Sequence, residues 1–146
     1  MRNSLSIVGI TAAVLLGSAA SAQEPARAWK PNSVWRVSTI EVMPGREDDY
    51  MRTLSTMWKA QRMANQKSGH EKSYKIMWAD DQRDGQPNLV LMIEYPNMAA
   101  MDRPPEEGDK VMKVIEAQGM KGATMAERDA MRKQRGSRLY HDVVLK

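Results

Sequence analysis

The chain has 146 residues, a formal net charge of +4, no cysteine, no phenylalanine and 13 methionines. Without cysteine it has no disulfide staples, thiolate nucleophiles or thiolate metal sites, and its acidic and basic residues are too evenly mixed for a nucleic-acid footprint. Its length is that of one domain.

Residues 1–22 carry the pattern of a secretory signal. Arg2 gives a positive start, residues 5–16 form an uncharged apolar run, and residues 18–22 (SAASA) end in the small-x-small pattern of a cleavage site after Ala22. The run is shorter than the ~20 residues a membrane-spanning helix needs. The expectation is a periplasmic or secreted protein with no membrane span after cleavage. Residues 23–32 (QEPARAWKPN) hold two prolines and no periodicity, and are expected to be a flexible arm.

The domain proper is expected over residues 33–146. Residues 34–43 alternate as a strand rich in β-branched side chains, and Pro44-Gly45 ends it in a tight turn. A helix follows over residues 46–67. Glu47, Asp48 and Asp49 favour its positive end, Tyr50, Leu54, Met57, Trp58 and residues 61–63 form its apolar stripe, and Arg52, Lys59, Arg62 and Gln66 form its solvated side. Gly69 stops it. Residues 70–79 and 89–95 read as strands of a hairpin joined by turn-forming residues 80–88, and the very apolar 89–95 is expected to be central. A helix is expected over residues 106–118. Another runs from an N-cap at Thr124, with a TMAE capping box, to Gln134, and residues 137–146 form the last strand. The order β-α-β-β-α-(α)-β is that of an α+β, ferredoxin-like split βαβ fold with a four-stranded antiparallel sheet.

The opening segment TIEVMPGREDDYMRTL resembles the start of the dimeric α/β-barrel superfamily, whose antibiotic-biosynthesis-monooxygenase-like and NIPSNAP-like members carry V-x-P-G-[KR]-E between a first strand and a first helix; here the match is Val42 to Glu47. The resemblance covers about residues 33–146. It implies a homodimer in which two four-stranded sheets meet face to face, with a pocket between each sheet and its helices. Its members include cofactor-independent monooxygenases and haem-degrading enzymes. This chain departs from the latter in having no histidine between Glu106 and Gln134.

Candidate chemistry is sparse. His141 in the last strand is the candidate general base, since imidazole titrates near neutral pH; the alternative is a buried structural histidine. Trp35, Trp58, Tyr74, Trp78 and Tyr140 are candidates to line a pocket for a flat ligand, or else form plain core. Arg36, a charge inside a strand, either anchors an anionic ligand, pairs across the sheet, faces the dimer interface or faces solvent. His70 reads as a solvated turn residue. No HExxH, P-loop or dinucleotide fingerprint occurs, so no metal or organic cofactor is expected. Arg128, Arg132, Lys133, Arg135 and Arg138 read as a solvated helix face. The methionines are scattered and read as core filler. The expected function is a dimer binding a small apolar or aromatic ligand. The alternatives are a cofactor-independent monooxygenase acting on a phenol or quinol and a purely structural dimer module.

Overall fold

The computed structural model describes residues 27–81 and 83–146; the signal segment and residues 23–26 of the expected arm lie outside them. The first strand, β1 (Trp29–Val42), is followed by α1 (Glu47–Thr53), a π-helical turn (Leu54–Trp58) and α2 (Lys59–Lys67). Then come β2 (Ser73–Trp78), β3 (Leu89–Tyr95), a 3-10 turn (Met98–Met101), α3 (Pro105–Ala117), α4 (Met125–Met131) and β4 (Arg132–Leu145). The strands form one antiparallel sheet in the order β2-β3-β1-β4, the ferredoxin-like arrangement.

Local chemistry explains the opening unit. Gly45 has φ +76°, and the Arg46 amide donates to the Met43 carbonyl at 3.0 Å, closing a turn with proline first and glycine second. The helix that follows is not regular. The Ser55 hydroxyl donates to the Arg52 carbonyl (2.8 Å) and that of Thr56 to the Thr53 carbonyl (3.0 Å), and Thr56 leaves helical geometry. Hydroxyls that take helix carbonyls bend the ladder, and a π turn inserts a residue. One extra residue rotates everything beyond it by about 100°. This corrects the expected helix face: Arg62, predicted on the solvated side, is buried, as is Asn65.

Cross-strand partners place two different faces on the sheet. The helix-covered face carries Ile40, Val42, Leu89 and Leu91, which pack with Tyr50, Leu54 and Met131 as the core. Burying each such side chain contributes roughly 1.5–3 kcal/mol. Buried Asn88 completes the end of β1: the Val42 amide donates to its Oδ1 (2.8 Å) and its Nδ2 donates to the Val42 carbonyl (3.2 Å). The other face carries Trp35, Val37, Val90, Met92, Met77 and Tyr140, interleaved with Lys75, Glu94 and Arg138. Among the described residues, no helix covers it.

Two boundaries differ from expectation. β1 takes in residues 29–32 of the expected arm, because Trp29, Lys30 and Pro31 pair with Leu145, Val144 and Val143 of β4. β4 begins at Arg132 rather than residue 137. Residues 132–134 have helix-compatible side chains, but Ile40, Glu41 and Val42 take them as antiparallel partners, and Arg135 then bulges out at the register shift opposite Thr39 and Ile40. The Thr124 capping box forms as the sequence predicts.

Candidate functional site

A cavity of about 450 Å³ lies between the helix-covered face of the sheet and the helices. Ile40, Leu91 and Ile93 form its floor, and Leu54, Met57 and Trp58 come to it from the first helical unit. Met112 of α3 and Ala123, just before α4, also line it. The π turn matters here, since it brings three lining residues from one short segment. Trp58 is held on both sides. Tyr74 meets it edge-on with ring centroids 5.2 Å apart, and the Arg62 guanidinium stands 5.4 Å from the ring centroid.

The charged part of the lining is cationic, and Ser38, Thr53, Gln61, Gln134 and Ser137 add neutral polar groups. Arg36 of β1, Arg128 in the last turn of α4 and Arg132 at the start of β4 reach the cavity, and no aspartate or glutamate lines it. Among the described residues, none of these guanidiniums pairs with a carboxylate. The Nε atoms of Arg128 and Arg132 are buried with no hydrogen-bond partner. Arg132 stands 5.6 Å from the Tyr50 ring centroid and Arg36 stands 5.5 Å from that of Tyr95. Burial pushes the Tyr50 hydroxyl above its ordinary pKa and outweighs the opposing pull of Arg132 and Arg128. Tyr50 is therefore a neutral donor beside two cations.

A buried polar cluster fixes the frame around this cavity. Glu71 Oε1 accepts from Arg62 Nη1 (2.6 Å) and Asn65 Nδ2 (2.7 Å), while Asn65 Oδ1 accepts from Arg103 (2.8 Å). Side-chain exposure is only 8% for Arg62 and 1% for Glu71. Burial raises the Glu71 pKa more than Arg62, Asn65 and Arg103 lower it. The cluster ties α2, the entry to β2 and the loop before α3 together, and so holds Arg62 against Trp58. His70 is half-buried beside it and stacks edge-on with Tyr95 at 5.8 Å; burial and the neighbouring Arg103 lower its pKa.

No family model matches the chain, and no curated protein does. Among solved structures, it is similar to a dimeric ferredoxin-like protein from an uncultured marine organism, with 7% identity and a TM-score of 0.46 over 80% of this chain and 90% of that one. The assignment of this chain to the ferredoxin-like fold is carried by its own strand order and pairing.

Of the residues singled out from sequence, Arg36 and Trp58 line the cavity and Tyr74 backs Trp58. Trp78 lies at the end of β2 opposite Leu89 and is partly exposed; Tyr140 is opposite Trp35 on the open face, half exposed. His141 is opposite Val34 on β4, exposed and outside the cavity lining. Among the described residues, no cluster of histidine and acidic side chains is arranged to hold a metal, and no helix is long and apolar enough to cross a membrane. Sequence reasoning missed Arg128 and Arg132. The sequence pattern puts both on a solvated helix face, whereas α4 ends at Met131 and Arg132 belongs to a strand. The helix-forming character of residues 132–135 hid this, and only the pairing with β1 reveals it.

Proposed function

We propose that this is an exported homodimeric binding protein of the dimeric α/β-barrel type, related to the antibiotic-biosynthesis-monooxygenase-like and NIPSNAP-like domains, that holds a small, largely apolar or aromatic ligand between sheet and helices. The observation that carries the ligand-binding reading is the cavity itself: an apolar floor, a tryptophan fixed on both sides and a few polar groups, in a volume suited to a small molecule. Support for the dimer comes from the open sheet face, where Met77 and Tyr140 are exposed beside half-buried Trp35, Val37, Val90 and Met92; such patches mark association surfaces. The V-x-P-G-R-E turn supports the kinship, and the residues ahead of the domain support export.

A purely structural module has no use for a retained cavity. The oxygenase reading needs a base at the cavity, and His141 is outside its lining.

Ser38 lines the cavity and has little bulk, so Ser38→Trp should fill it. A thermal-shift screen with naphthalene and indole derivatives should show stabilisation of the parent that Ser38→Trp abolishes. A panel that stabilises neither protein refutes the binding role. Sedimentation velocity should show a dimer at micromolar concentration, and a stable monomer there refutes the barrel.

A further inference from the structure

We propose, resting on the ligand-binding reading above, that the cavity selects an organic anion, a monocarboxylate with an aromatic or alkyl body, whose carboxylate is held by Arg128 and Arg132.

Guanidinium groups gathered at a cavity without an acid repel one another and leave donors unused. Each guanidinium has five N–H donors, and burying a charge without a partner is costly. Three arginines elsewhere in the fold are compensated: Arg62 by Glu71, Arg103 by Glu107 and Arg135 by Glu41. Arg128 and Arg132 are not, although both are partly buried and each has a buried Nε without a partner. The Arg132–Tyr50 contact, 5.6 Å from guanidinium carbon to ring centroid, leaves the Arg132 Nε without a hydrogen-bond acceptor. A planar carboxylate matches a guanidinium edge with paired hydrogen bonds.

The rest of the cavity sets the body of the ligand. Ile40, Leu91 and Ile93 offer a dry surface and Trp58 an aromatic wall. An inorganic anion such as phosphate would satisfy the arginines but leave that surface wet. A neutral hydrocarbon would cover the surface but leave the arginines uncompensated. An amphiphilic monoanion meets both demands. Arg36, exposed on the neighbouring strand, adds positive potential to the same cavity and draws anions toward it.

The test is calorimetric titration of the full chain with 2-naphthoate and its uncharged counterpart 2-naphthamide, repeated with octanoate and octanamide and with inorganic phosphate. The parent should prefer each carboxylate over its amide by about 10- to 100-fold, the usual worth of a charge-assisted hydrogen bond. Arg128→Gln and Arg132→Gln should each cut that preference to within about threefold, as expected when the charged contact is lost. Equal affinity for acid and amide in the parent overturns the anion proposal and leaves the ligand-binding reading standing. No binding of any carboxylate or amide overturns both. Phosphate binding as tightly as the carboxylates overturns the assignment of an organic body. Retention of the full preference in both folded variants overturns the role of Arg128 and Arg132. Where a variant fails to fold, the acid–amide ratio of the parent decides.

Discussion

Replacing Arg62 by methionine should be among the most damaging single changes in this protein. Glu71 would keep a carboxylate with 1% side-chain exposure and lose its cation at 2.6 Å, retaining only the amide of Asn65. Breaking a buried pair from one side costs about 3–5 kcal/mol, because the remaining charge is left uncompensated. Loss of the Arg62–Trp58 contact adds to this. The double variant Arg62→Met/Glu71→Met removes both charges and should recover most of the loss. What remains is Asn65 Nδ2, which loses its acceptor at a cost of about 1–3 kcal/mol. The two single changes should therefore be strongly non-additive, with the double variant more stable than Arg62→Met alone. A second signature is pH. Glu71 already has a raised pKa from burial, and without Arg62 it rises further, so the deficit of Arg62→Met should shrink on acidification as the carboxyl takes a proton. Urea denaturation of parent, singles and double at matched protein concentration measures all of this. Losses that simply add, or a deficit that does not change with pH, would refute the buried-pair account.

Three further outcomes follow from the geometry. Asn88→Leu strips the Val42 amide and carbonyl of their side-chain partners at the buried end of β1, and should cost about 2–3 kcal/mol in urea denaturation. Thr124→Ala removes the capping box of α4 and should cost about 1 kcal/mol by the same assay, less if Gly or Ser is used instead. Burial opposes ionisation of Glu94, but the Lys72 ammonium at 2.8 Å and the Ser73 hydroxyl at 2.6 Å outweigh it and hold its pKa below the ordinary 4.5. Its stabilisation is thus complete above that value and is lost as pH falls through the lower folded value; urea midpoints from about pH 6 to pH 3 should decline less steeply in Glu94→Gln than in the parent.

What could be read from the residues was whatever local chemistry decides. Residues 89–95 are a continuous apolar run bounded by turn formers, and β3 has those limits. Pro44-Gly45 and the TMAE box form the turn and cap their residue types demand. The misses have a common cause in long-range pairing and phase. Arg62 looked solvated because a regular helix puts it there; the hydroxyls of Ser55 and Thr56 shift the phase and bury it. Residues 132–134 look helical until Ile40 to Val42 claim them as partners. The cavity was anticipated at Trp58 and Arg36, but its strongest cationic side depends on that reassigned strand and could not be read from spacing.

The pairing of Trp29 with Leu145 means that β1 gains its outer neighbour only from the far end of the chain, and the Lys146 amide donates to the Ala28 carbonyl at 2.9 Å. The β2–β3 hairpin can close as soon as it is made, whereas the β1–β4 ladder must wait for the final residues and bears the entropy of a very long loop. Until then β1 is an open edge, available to any other strand. A chain stopped short of β4 is thus aggregation-prone rather than merely incomplete, because its inner strand is still an open edge.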